Sequence, residues 1–104
     1  MFARNVSFRL KSNKLSAYIR TLENEILPLL RKQVGFREEI TLLNPGSTGA
    51  VSISLWETKA NADAYNANLY PEVLRIFAKM IDGTPKVQTF EAVTSTFHSF
   101  LVAA

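Results

Sequence analysis

Cysteine is missing from all 104 residues, which excludes disulfides, thiolate nucleophiles, iron–sulfur clusters and cysteine-type zinc sites together. Histidine is almost missing, since His98 is the only one. A transition-metal site would therefore need several carboxylates converging from distant segments, and no metal is expected. Glycine and proline are scarce at four each, too few for a fibrous or low-complexity chain or for a glycine-rich phosphate cradle. No apolar run approaches the length of a bilayer span, and Arg4 and Arg9 stand where a secretory signal would be apolar. These absences lead us to expect a soluble cytoplasmic protein that binds neither membrane nor cofactor.

What is present is apolar surface: 47% of the residues are hydrophobic, enough for one compact domain spanning residues 1–104. The net charge of +3 is unevenly placed. Up to Arg37 there are eight Lys or Arg against Glu23 and Glu25, and beyond it four against seven acids. Such a basic half could favour an anionic ligand, but a solvated helix face and strand ends carrying ordinary lysines account for it better.

From Phe2 to Leu10 the even positions Phe2, Val6, Phe8 and Leu10 are apolar, interrupted by Arg4, which is a strand with period two. Leu15, Tyr18, Ile19, Leu22, Ile26, Leu29 and Leu30 recur at spacings of three and four and mark a first helix, which Pro28 should kink. Gly35 suits a helix end in the left-handed region. Phe36 to Leu43 reads as a strand with Phe36, Ile40 and Leu42 on one face, broken by Glu38. Asn44-Pro45-Gly46-Ser47-Thr48-Gly49 reverses the chain, and Ala50 to Glu57 alternates Val51, Ile53 and Leu55 against Ser52, Ser54 and Trp56. Thr58 caps a second helix rich in alanine, renewed at Pro71 with Val73, Leu74, Ile76, Phe77, Met80 and Ile81 as its apolar face. Gly83 and Pro85 stop that helix, and a last strand starts near Lys86 with Val87, Phe90 and Val93.

Strand, helix, strand, strand, helix, strand is the ferredoxin-like βαββαβ order, an α+β fold with both helices on one face of a four-stranded antiparallel sheet. The opposite face would then collect Ala3, Asn5, Ser7, Thr41, Leu43, Ser52, Ser54 and Trp56, a surface suited to a two-fold homodimer. Trp56 and Leu43, with Phe97 and Phe100 from the apolar C-terminal stretch, are the expected dimer-interface residues. A plain solvent-facing sheet is the alternative.

The stretch Leu29-Leu30-Arg31-Lys32-Gln33-Val34-Gly35-Phe36, with Leu55-Trp56-Glu57-Thr58, Tyr65-Asn66, Tyr70-Pro71-Glu72-Val73-Leu74 and Pro85-Lys86-Val87, resembles the antibiotic-biosynthesis monooxygenase-like domains of the dimeric α+β barrel superfamily. The resemblance spans nearly the whole chain as short pieces. It implies a two-fold dimer whose sheets form a barrel, with a ligand pocket in each subunit between sheet and helices. Members include cofactor-free oxygenases of aromatic polyketides, haem-degrading enzymes, isomerases and proteins without assigned activity. Haem-degrading members use a histidine from the second helix region, which is absent between Asn61 and Ile81 here; only Asn5 matches their first-strand asparagine.

A cofactor-free oxygenase must hold a substrate oxygen in its anionic form, which requires donors such as Asn, Tyr or Arg. Trp56, Tyr65, Tyr70 and Phe77 can line an aromatic pocket, and Asn66 and Arg75 can supply its polar groups. Tyr65, Asn66, Tyr70 and Arg75 are thus the expected ligand-binding set, for a dimeric small-molecule-binding protein acting as a cofactor-independent monooxygenase on an aromatic or quinone-like compound. The competing reading is a non-catalytic binding or interaction domain of the same fold, with the aromatics as core. His98 is a candidate base or a strand residue facing solvent or a partner. Nucleic acid is not expected, because the RNA-binding βαββαβ modules display a strand motif of stacking aromatics that this chain lacks.

Overall fold

A computed structural model describes residues 1–96. Strand β1 (Phe2–Leu10) leads into helix α1 (Leu15–Thr21), a π-helical turn (Leu22–Ile26) and helix α2 (Leu27–Arg31). The hairpin of β2 (Phe36–Leu43) and β3 (Gly49–Trp56) follows, then α3 (Lys59–Asn68), α4 (Tyr70–Phe77), a short 3₁₀ turn (Ala78–Met80) and β4 (Ile81–Glu91). The sheet is antiparallel in the order β2-β3-β1-β4, so the ferredoxin-like α+β arrangement expected from the sequence is the one observed. Among the described residues no helix is long and apolar enough to cross a membrane.

Proline acts where the periodicity said it would. Pro28 enters the first turn of α2, and directly before it the helix widens so that the Leu27 amide donates to the Leu22 carbonyl, five residues back. This widened turn spaces Tyr18, Leu22, Ile26 and Leu30 four apart along one buried line, and turns Leu15 and Ile19 outward. Gly35 adopts φ +79°, and a Cβ there would lie 2.2 Å from Asn61 Oδ1, so both conformation and space demand glycine. Pro45 and Gly46 (φ +73°) make the hairpin turn, closed by the Asn44 amide donating to the Gly49 carbonyl at 2.9 Å.

The core lies between the sheet and all the helical segments. Phe8 meets Tyr18, Tyr18 stacks on Phe77 at 4.4 Å, and Trp56 stacks on Tyr65 at 4.9 Å. Directly paired residues of an antiparallel sheet share a face. Phe8 pairs with Ala50, Val6 with Ser52, Arg4 with Ser54 and Phe2 with Trp56. Ser52, Ser54 and Trp56 therefore face the helices, and Val51, Ile53 and Leu55 face away.

This inverts the sequence expectation for β3. Trp56 is 0% exposed at the centre of the core, so it cannot serve as a dimer-interface residue. Leu43 pairs with Ala50 and lies on the helix side at the end of an edge strand. A bulge between Phe36 and Glu38 puts Phe36 against Trp56 while Ile40 and Leu42 point the other way. The expected single face of Phe36, Ile40 and Leu42 is thus split. Phe97, Phe100 and His98 lie outside the described residues.

β4 also begins earlier than expected, at Ile81. Ser7 pairs with Lys86 and Arg9 with Asp82, so Gly83 to Pro85 bulge out opposite Phe8. Gly83 takes φ +71° there. An edge strand tolerates the proline because its missing amide interrupts no central ladder.

Candidate functional site

Arg4, the residue that interrupts the apolar phase of β1, is 3% exposed and lies on the helix side of the sheet. Strand alternation forces it inward, and the small neighbour Ser54 leaves room beside it. The guanidinium carbon lies 4.3 Å from the centroid of the Tyr70 ring and 4.9 Å from that of Tyr65. Nη2 donates to Asn66 Oδ1 at 2.9 Å. Arg4 forms no ion pair among the described residues. A buried guanidinium is costly without compensation, and here ring quadrupoles and one amide oxygen supply it in place of a carboxylate.

Helices α3 and α4 position these partners. Thr58 Oγ1 accepts from the Asn61 amide at 3.1 Å and starts α3. One turn along, Ala62 is buried beside the sheet, and Tyr65 follows on the same inner line. Tyr70 opens α4, and its ring centroid lies 5.9 Å from that of Tyr65. The Trp56 indole, which backs Tyr65, donates to Ser54 Oγ at 2.9 Å.

Beneath these residues is a cavity of about 50 Å³ whose polar lining includes Arg4, Glu39, Ser52, Ser54, Tyr65 and Tyr70, with Val6, Leu22, Ile26 and Phe77 among its apolar walls. The Tyr70 hydroxyl is buried with no hydrogen-bond partner among the described residues. Ligand pockets usually span roughly 300–1,000 Å³, so this interior is nearly closed. Arg4 and Asn66 also line a surface hollow of about 220 Å³ between α3 and β4.

The structure brings Tyr65, Asn66 and Tyr70 together, with Arg4 as the centre that joins them. Arg75 stands apart: its side chain is 71% exposed on the outer side of α4, and Nε donates to Glu72 Oε2 at 2.9 Å. The helical spacing that buries Val73 and Phe77 turns Arg75 to solvent. Arg4 and Glu39 are the charged residues of the lining, and neither is among the site residues expected from the sequence. Arg4 had left a signal, as the lone charge in an apolar phase, whereas the bulge that turns Glu39 inward had left none.

No family model and no curated protein sequence matches this chain. Solved structures do. A protein of unknown function from Nitrosomonas europaea superposes with a TM-score of 0.75 at 17% identity, over 95% of each chain. A structure named as a candidate antibiotic biosynthesis monooxygenase from Bordetella bronchiseptica gives 0.75 at 14% identity, covering 89% of this chain and 97% of its own. The ActVA-Orf6 monooxygenase of Streptomyces coelicolor, in complex with nanaomycin D, gives 0.74 at 16% identity over 94% and 92%. The chain has the antibiotic-biosynthesis monooxygenase fold. Identities this low establish the monooxygenase-like architecture, and the chemistry must be argued from the residues.

Burial gives the three tyrosines of this chain a common property. It pushes the Tyr65 hydroxyl up to about 12, against the opposing charge of Arg4. Burial raises Tyr18 further and raises Tyr70 in the same direction, with Arg4 again opposing at Tyr70. At neutral pH all three are protonated donors rather than bases. An unfolded chain ionises its tyrosines near 10.0, so stability that is whole below that pH is lost as pH rises toward about 12. Phenolate absorbance should therefore stay flat through pH 10.0 and then rise together with loss of the circular-dichroism signal. Ionisation near the ordinary value in a chain still folded would contradict the burial described here.

Proposed function

We propose that this chain is a homodimeric small-molecule-binding protein acting as a cofactor-independent monooxygenase on an aromatic or quinone-like compound. The observation that carries the reading is Arg4, a buried cation at the wall of the cavity with no carboxylate partner among the described residues. An anionic oxygen on a bound ring would provide the counter-charge, in a low-dielectric site where such a contact is strong. Tyr65 and Tyr70 offer aromatic faces, and Asn66 steadies the guanidinium from outside. The nanaomycin D complex of the Streptomyces coelicolor protein supports a ligand in this fold. The reaction would turn a ring C–H into C=O, with one oxygen atom of O₂ entering the product and the other leaving as water that takes up that hydrogen and a second one from the ring's phenol O–H or the same carbon. Entry of a ring requires the small cavity to widen, and the π-helical turn that carries Leu22 and Ile26 along its wall is the segment with the least regular helical bonding.

The non-catalytic reading has one observation in its favour, the cavity volume of about 50 Å³. The two part over 1,5-dihydroxynaphthalene, whose oxygenation gives the coloured 5-hydroxy-1,4-naphthoquinone and water. We expect saturable binding by calorimetry, oxygen uptake above the protein-free rate, and about tenfold or greater loss of affinity in Arg4→Met. Melting temperature in that variant should hold or rise, because an apolar side chain replaces a buried charge lacking an acid partner. Binding without oxygen uptake would support the non-catalytic domain, and unchanged affinity in Arg4→Met would remove Arg4 from the site.

The dimer rests on the sheet face turned away from the helices. Ile40 and Phe90 are each 51% exposed there, beside Leu42, Val51, Ile53 and Leu55. The Asn5 Oδ1 on the same face is buried with no hydrogen-bond partner among the described residues. A groove of about 560 Å³ between Ile40, Ile53, Leu55 and Ala92 offers room for apolar side chains of a twin. Sedimentation at micromolar concentration should give twice the 11.7 kDa chain mass, and Ile40→Asp should shift it to the monomer. A wild-type monomer under those conditions would contradict the assembly.

A further inference from the structure

We infer that Glu39 is the proton acceptor of the site proposed above, placed opposite Arg4 so that a ligand's proton leaves toward β2 while its negative charge settles toward β1. The inference rests on that ligand-binding reading and names the missing half of its chemistry. Arg4 pairs with Ser54, and Ser54 with Glu39. The three residues form one row across β1, β3 and β2 on the helix side, with roughly 10 Å between the outer backbones at two strand spacings. Both charged ends line the same cavity, and no ion pair joins them.

Elimination among the lining groups points to Glu39. Burial holds the hydroxyls of Tyr18, Tyr65 and Tyr70 protonated at neutral pH, and Ser54 Oγ already accepts from the Trp56 indole. Among the described residues Glu39 is the one carboxylate on the cavity wall. Its Oε1 accepts from Thr41 Oγ1 at 2.5 Å and from Ser52 Oγ at 3.1 Å. These two hydroxyls fix the carboxylate, and Oε2 has no hydrogen bond among the described residues. A carboxylate held by its neighbours with one oxygen unoccupied is arranged to receive a proton. Glu39 also borders a surface hollow of about 280 Å³ beside α2, where a received proton can pass to solvent.

The ligand class is an aromatic ketone or phenol with an acidic C–H or O–H. The C–H or O–H bond breaks, its proton bonds to Glu39 Oε2, and its electron pair delocalises onto the ring oxygen facing Arg4. Net charge in the site is unchanged. The negative charge moves from the far end of the row to the end beside the guanidinium, which lowers the energy of the anion as it forms.

The probe is 2-tetralone, a two-ring ketone with acidic benzylic hydrogens, in deuterium oxide under nitrogen. Proton NMR follows the loss of the benzylic signal, and calorimetry gives affinity. Wild-type protein should accelerate exchange. Glu39→Gln should slow it about a hundredfold with affinity unchanged, Glu39→Asp should recover part of the rate, and Glu38→Gln should behave as wild type. Trp56 fluorescence confirms that each variant is folded. If Glu39→Gln exchanges bound tetralone at the wild-type rate, or wild-type protein binds tetralone without exchanging it, the inference is overturned while the Arg4 ligand site stands. The converse pattern, exchange lost in Glu39→Gln with no oxygen uptake from any substrate, upholds proton transfer and removes the oxygenase reading alone.

Discussion

A guanidinium buried with no carboxylate partner among the described residues is the constraint around which this domain is arranged. Arg4 belongs to a central strand and cannot turn to solvent without slipping the register of β1 against both β3 and β4. The neighbours that make its burial tolerable come from both helical layers of the second half: rings from Tyr65 and Tyr70, and an amide oxygen from Asn66. The same rings are tied to the core through the stacking of Tyr65 on Trp56. Replacing that set with aliphatic side chains would make a simpler and more stable interior, so the polar row across the sheet reads as a concession to function.

The row also explains where the sequence misled. In β3 the apolar set Val51, Ile53 and Leu55 looks like the core face, and Ser52, Ser54 and Trp56 look like the outer one. The structure reverses them, because the small serines are what fits beside Arg4 and Glu39, and Trp56 is the cover over Tyr65. Alternation fixes which residues share a face and cannot say which face is inside when both carry apolar side chains. The bulge after Phe36 hides the phase of β2 in the same way, since one extra residue leaves no mark in the composition. Where the physics is local, the sequence was readable: Gly35, the Pro45-Gly46 turn, the Thr58 cap and the break before Pro28 all stand where their backbone preferences put them. Tyr65 and Asn66 are neighbours on α3 and Tyr70 opens α4, so their closeness could be read from the chain, whereas the helical spacing of α4 turns Arg75 to solvent.

Reversing β3 changes the outer face as well. The surface opposite the helices carries Val51, Ile53 and Leu55 in place of two serines and a tryptophan, next to Ile40, Leu42 and Phe90. It is more apolar than the alternation in β3 predicts, which suits it to the proposed twin. Core and outer face thus trade roles through one register: the serines that admit Arg4 to the inside send the aliphatic residues of β3 to the outside. The candidate site and the proposed dimer surface both follow from the same strand phase.

Arg4 is enclosed by aromatic rings and has no acidic partner among the described residues. Nuclear magnetic resonance of the Arg4 guanidinium in the ligand-free protein tests it most directly. The account predicts side-chain protons that exchange slowly with water and are shifted upfield by the Tyr65 and Tyr70 rings. A guanidinium exchanging as fast as those of exposed arginines, at an unshifted position, would contradict it.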